Sequence, residues 1–186
     1  MVYNLIEKCR SYRRFDAKRK ISRDTLVSFV ESARVVSSAA NRQQLRYSLY
    51  TEKEDCDRIF STLKFAAFLT DWTGPSEDER PVAYIVVSSA SELNGILGID
   101  LGLAAEAIAL TATEQGIGYC MFGSFDKNNI AALIGEPNNP HIVLAFGYPI
   151  ETVILEKAVD GQTKYYRDEK DRHIVPKLSV EELIIH

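Results

Sequence analysis

At 186 residues the chain is long enough for a single domain with a substantial core. Apolar residues make up 46% of it and charged residues 26%, an ordinary globular balance that excludes global disorder. The formal net charge of -4 argues against a nucleic-acid binder, which carries a basic stripe.

The first ten residues include Glu7 and lack the long apolar core of a signal peptide. The longest apolar run, Ile99 to Ala112, is broken by Asp100 and Glu106 and is too short to span a bilayer. Cys9, Cys56 and Cys120 are odd in number and far apart, so they form neither a disulfide framework nor a CxxC pair. These features predict a cytoplasmic protein with reduced thiols.

In chain order, a first helix is expected from Tyr3 to Cys9, followed by the basic run Arg10-Ser11-Tyr12-Arg13-Arg14-Phe15. Ser22 reads as the N-cap of a helix with Leu26, Phe29, Val30 and Ala33 on one face. A polar stretch, Ser37 to Gln44, leads into a strand over Leu45 to Thr51. Lys53 to Phe68 reads as a helix and Asp71 to Pro81 as a loop. Val82 to Val87 is a β-branched run suited to an interior strand.

Ile99 to Gln115 is apolar nearly all round, which predicts a helix buried on every side, in a core or against a partner subunit, and ended by Gly116. Tyr119 to Phe122 and Ile142 to Phe146 read as strands, separated by a helix from Asn128 to Ile134 that Asp126 caps and Gly135 closes. Beyond Pro149 a tail turns at Asp160-Gly161, and Ser179-Val180-Glu181-Glu182 is a capping box. The elements describe an α+β domain spanning residues 1–186, with neither repeats nor linkers.

The common chemical signatures are missing. Gly116-Ile117-Gly118 is followed by Met121 where GxGxxG needs glycine, and no GxxxxGK[ST] or GxSxG occurs. His141, His173 and His186 are scattered, so no metal site is expected. Three clusters remain. Arg10 to Arg13 puts two forked cations around a hydroxyl, so it reads either as a phosphate site or as a solvated basic turn. Ser38-Ala39-Ala40-Asn41-Arg42-Gln43 has the composition of an ordinary loop. Met121-Phe122-Gly123-Ser124-Phe125 ends a strand in small residues, either as a tight connection or to let amides approach a planar ligand.

In order and spacing, these three clusters together resemble the nitroreductase-like FMN-dependent oxidoreductases, over essentially the whole chain. Arg10 to Phe15 resembles the family's R-R-S-x-R-x-F, and Ser38 to Gln43 its S-x-x-N-x-Q. Asp100-Leu101-Gly102 through Gly116-Ile117-Gly118 is similar to its central D-x-G helix ending in G-L-G. Two weaker likenesses are Phe60-Ser61-Thr62-Leu63-Lys64 and Val175-Pro176-Lys177.

The resemblance implies a nitroreductase-like fold, a mostly antiparallel central sheet flanked by helices in an intertwined homodimer. The tail from about 150 to 186 would reach the partner subunit. Arg10, Ser11, Arg13 and Lys177 would hold the FMN phosphate. Ser38, Ala39, Asn41 and Gln43 would approach the flavin from the other subunit. Phe122, Gly123 and Ser124 would face flavin N5, and Lys64 its pyrimidine edge. No catalytic side chain is needed, because flavin N5 carries the chemistry, supported by Gly123, Ser124 and Lys64. The implied reaction is ping-pong hydride transfer from NAD(P)H to a small acceptor such as a nitroaromatic or quinone. Reductive dehalogenation, flavin fragmentation and a non-catalytic flavin-binding module stand as alternatives. The chain departs from the family pattern at Cys9, Ser37, Gln44-Leu45 and Leu178-Ser179, which implies fewer phosphate ligands. Trp72 lies in the stretch where members vary most, a candidate element of the substrate side.

Overall fold

Alternation along four strands sorts the apolar residues onto the two faces of one sheet. The computed structural model describes residues 2–65, 68, 69 and 71–186. Its main sheet comprises β1 (Arg46–Tyr50), β2 (Ala83–Ser89), β3 (Gly118–Phe122) and β4 (Asn139–Gly147). They lie in the order β1-β2-β4-β3, every neighbour antiparallel.

Ala83, Ile85 and Val87 of β2 join Leu144 and Phe146 of β4 on one face, as the period of two requires. Against that face pack α2 (Arg23–Val35) and α4 (Gly95–Glu114), through Leu26, Phe29, Leu101, Ala104 and Ile108. Tyr84, Val86, Val143, Ala145, Cys120 and Phe122 point the other way. There they meet α3 (Lys53–Thr62) and α5 (Lys127–Ile134) through Cys56, Ile59 and Ile130. Both faces are covered, which explains the unbroken apolar run of β2. Each fully buried Leu, Ile or Phe contributes about 1.5–3 kcal/mol, so this three-layer core is the main source of stability.

Ser22 caps α2 as expected, its Oγ accepting from the Thr25 amide at 3.1 Å. Three helical expectations need correction. Helix α4 begins at Gly95, because Asn94 Oδ1 accepts from the amides of Ile96 and Leu97, each at 3.1 Å. The two glycines at 95 and 98 hid that start. At 20 residues it is the one helix among those described that is long and apolar enough to cross a membrane. Its inner face, Asp100 included, is buried, yet Ile96, Ile99 and Leu103 are 53%, 65% and 45% exposed. Burial on every side therefore does not hold within one chain.

Helix α3 stops at Thr62 rather than Phe68. Leu63 bridges to Phe125, and the Lys64 amide donates to Ser124 O at 3.1 Å, pulling the chain out of helical geometry. Residues 66 and 67 of the expected helix lie outside the described set. The first helix, α1 (Val2–Lys8), is shifted by one residue at each end.

The tail is more ordered than its composition suggested. β5 (Val153–Lys157), β6 (Tyr166–Arg167) and β7 (His173–Lys177) form a second sheet in the order β5-β7-β6. Strands β5 and β7 run parallel. Asp160 and Gly161 turn the chain at φ 50° and 71°, and the Ser179–Glu182 capping box opens the short helix α6 (Val180–Leu183).

Trp72 behaves as an anchor. The guanidinium of Arg14 lies 5.8 Å and that of Arg167 5.0 Å from its ring centre, with Phe65 edge-on at 6.1 Å. The loop after it is fastened where Phe15 N donates to Glu79 O at 2.9 Å and Ala17 N to Asp78 O at 3.1 Å.

Candidate functional site

Past α1 the chain runs extended beside β3. Ser11 bridges to Tyr119 in parallel, and the Tyr12 amide donates to Tyr119 O at 2.8 Å. Two glycines permit this close approach. A Cβ on Gly118 would sit 2.4 Å from Pro149 Cγ, and one on Gly147 would sit 2.6 Å from Phe15 Cβ. The run is clamped by Glu151, whose Oε1 accepts the main-chain N–H groups of Arg13 and Arg14 while Oε2 takes Arg167 Nη2 at 2.9 Å. Its side chain is only 2% exposed, and three donors compensate the buried charge.

This clamp presents Arg10, Ser11 and Arg13 to a cavity of about 360 Å³, with Lys177 of β7, Tyr119 of β3 and Glu106 of α4 on its other walls. The four phosphate candidates read from sequence are thus brought together. Three cations face one carboxylate. Arg10 Nη2 donates to Ile6 O at 2.7 Å, neutralising the end of α1, while its buried Nε has no hydrogen-bond partner among the described residues. Arg13 Nη1 contacts His173 Nε2 at 3.0 Å and donates to Ser11 O at 3.1 Å, and its guanidinium lies 4.8 Å from the Tyr165 ring centre. Burial first, then Arg13 and Arg167, pull the His173 pKa down to about 4, so the imidazole is neutral at physiological pH. Cys9 forms part of the floor, and burial raises its thiol pKa, leaving it protonated.

Arg14, next in the run, turns away from solvent. It pairs with Asp171, sits 3.7 Å from Glu79 through Nε, and covers Trp72. Asp171 is correspondingly held below the usual carboxylate range, by Arg14 first and Arg167 second.

The second cluster lies apart. Ser38 and Gln43 line a cavity of about 350 Å³ between α2, β1 and α4, and Ser38 with Ala39 lines another of about 340 Å³ beside Ile96, Ile99 and Leu103. Neither shares a residue with the cationic cavity. Asp100 Oδ1 accepts from the Ala39 amide at 2.9 Å, and Gln43 Nε2 donates to Asn41 Oδ1 at 3.0 Å. Ala40, Asn41 and Gln43 all hold positive φ near 50°, a strained arrangement for residues other than glycine.

In the third cluster Gly123 and Ser124 are exposed at the end of β3, whereas the Phe122 side chain is buried against Phe65 at 4.8 Å. Phe122 therefore offers a ligand only its main chain. Lys64 is exposed and lies beside Ser124 through the amide contact described above. No group of His, Cys, Asp and Glu among the described residues could hold a metal ion.

Residues 1–182 match the model of a family described as "Putative TM nitroreductase". The chain belongs to this nitroreductase family. Solved structures agree on the fold. A nitroreductase family protein from Streptococcus pneumoniae TIGR4 is 15% identical with all of both chains covered and a TM-score of 0.70. A "putative NAD(P)H:FMN oxidoreductase" from Staphylococcus epidermidis is 19% identical, covering 100% of this chain and 95% of that one at 0.71. A "putative nitroreductase in complex with FMN" from Desulfovibrio desulfuricans is 18% identical, covering 100% and 95% at 0.69. No curated protein matches the chain.

Within this nitroreductase frame, sequence reasoning missed Glu106, Glu151, Tyr165 and His173. The β-branched pair Ile174-Val175 marks β7 and was the available signal for a strand beginning at His173. Glu151 has no local signal, because its partners lie 16 and 137–138 positions away.

Proposed function

We propose that this chain is an FMN-dependent NAD(P)H oxidoreductase of the cytoplasm, acting as a homodimer. The observation that carries the reading is the cationic cavity, where Arg10, Arg13 and Lys177 meet Ser11 and the buried Nε of Arg10 has no partner among the described residues. That donor set fits a phosphate monoester. From Tyr119 at the cavity, β3 rises by about 13 Å over four residues to Gly123, a span suited to a ribityl chain and the near edge of a flavin ring.

Arg10, Arg13 and Lys177 hold the phosphate, and Ser11 donates a neutral bond to it. Gly123 and Ser124 offer main-chain amides to the ring, and Lys64 offsets negative charge at its pyrimidine edge. Ser38, Ala39, Asn41 and Gln43 serve the ring bound by the other subunit, which accounts for their separation from the cationic cavity. The exposed Ile96, Ile99 and Leu103 beside them are the natural face for that partner, and the tail from about 150 to 186 extends the contact. Bound FMN supplies electron transfer from NAD(P)H to a small organic acceptor such as a nitroaromatic or quinone.

Titration of apo-protein with FMN, followed by anaerobic addition of NADH or NADPH, tests the reading. One FMN per chain and rapid bleaching are expected. A protein that takes up no FMN overturns it, and a yellow protein that neither nucleotide bleaches overturns the enzymatic part. Light scattering at micromolar concentration should give a dimer, and a monomer that binds FMN removes the shared site.

A further inference from the structure

We propose that His173 is a positioning residue that aims Arg13 at the cofactor phosphate by accepting a hydrogen bond from its guanidinium; the inference rests on the FMN reading above. A guanidinium N–H only donates, so at 3.0 Å from Arg13 Nη1 the His173 Nε2 atom must present its lone pair. The proton then sits on Nδ1. That atom is buried and has no partner among the described residues, a cost that an apolar side chain of the same shape would avoid. Filling space therefore does not account for histidine here.

The imidazole is itself well fixed. Its residue is 1% exposed, its amide donates to Thr152 O at 2.8 Å, and its ring lies 5.0 Å from that of Tyr165. Charged groups near it are Arg13, Arg167 with its partner Glu151, and Glu106 and Lys177 across the cavity. With Ser11 O and His173 both served by Nη1, the Nη2 and Nε donors of Arg13 bond to no protein atom among the described residues. Those two form one edge of the guanidinium, the edge that takes two oxygens of a phosphate at once. His173 and Tyr165 set which edge faces the cavity. Arg10 does not offer the same edge, since its Nη2, one of the two donors of that edge, is engaged by Ile6 O.

The test compares FMN with riboflavin, which lacks the phosphate, in binding to wild type, His173→Phe, His173→Gln, Arg13→Ala and the His173→Phe/Arg13→Ala double variant. Wild type should prefer FMN. His173→Phe should lose about tenfold in FMN affinity, the worth of one well-placed hydrogen bond, with riboflavin binding unchanged. His173→Gln, which keeps an acceptor, should retain most of the preference, and the double variant should bind FMN no more weakly than Arg13→Ala. A wild type without preference for FMN defeats the cofactor reading itself. A wild type that prefers FMN, beside a His173→Phe variant that does so equally, overturns only the role of His173. Should the phenylalanine variant fail to fold, nitrogen NMR of the wild-type imidazole decides: the Nδ1–H tautomer is expected, and the Nε2–H tautomer overturns the proposal.

Discussion

Glu151 Oε2 and Arg167 Nη2 are 2.9 Å apart, with side chains only 2% and 13% exposed, and the same carboxylate holds the main chain at Arg13 and Arg14. The pair ties the tail sheet to the basic run. Removing one partner of a buried pair leaves the other charge uncompensated, so Glu151→Gln should cost about 3 kcal/mol of stability and weaken FMN binding as well. Urea denaturation measures the first effect. A loss under about 1 kcal/mol, the range of exposed pairs, would show that water screens this one.

Arg13→Ala should lower FMN affinity by about thirtyfold, equivalent to about 2 kcal/mol for a charge-assisted contact. Arg10→Ala should act in the same direction and also loosen the end of α1, to which Arg10 is bonded. Arg14→Ala should lower thermal stability with FMN affinity nearly intact, because its partners are Asp171, Glu79 and Trp72. Arg23, exposed at the start of α2, provides the neutral control. Equal FMN binding by all four variants would remove the phosphate assignment.

Stability should fall as pH drops from about 6.5 toward 4. A histidine whose folded pKa lies below its unfolded value stabilises the fold above the unfolded value and loses that contribution as pH falls toward the folded one. For His173, at about 4 in the fold, the linked loss is on the order of 3 kcal/mol. His141, also lowered by burial, adds to the slope. Urea midpoints across this range should decline less steeply in His173→Phe than in wild type, and identical slopes would contradict the assignment. In stronger acid the depressed Asp171 protonates as well, releasing Arg14 and Arg167.

Gly147→Ala should destabilise by about 1–3 kcal/mol, the usual cost of overpacking, since its Cβ would collide with the buried Phe15 ring at 2.7 Å from Cγ. Thermal denaturation measures this directly. An unchanged midpoint would mean that the basic run can lift off the sheet at little cost.

Legibility in the sequence followed locality. Helix α2 was readable because Ser22 and the spacing of Leu26, Phe29 and Ala33 act within a few residues. The end of α3 was not, because Phe125 and Ser124 impose it from across the fold. Strands β5 and β7 are short and pair in parallel with each other, and the hairpin of β7 with β6 rests on only two residue pairs, so the local signal is slight. For the site, family spacing brought Arg10, Ser11, Arg13 and Lys177 into one group. It gave no access to Glu151 or His173, whose significance exists only once residues about 140 to 160 positions apart are neighbours.

The cavity draws on two segments 160 positions apart, with Arg10 to Arg13 on one wall and His173 to Lys177 on another. During synthesis the first set leaves the ribosome early and must wait for the second. A nascent chain that stops short of Lys177 cannot close the cationic cavity, however well its central sheet has formed. Closure of the cavity therefore follows completion of the central sheet, and a chain cut short before β7 builds most of its core without it.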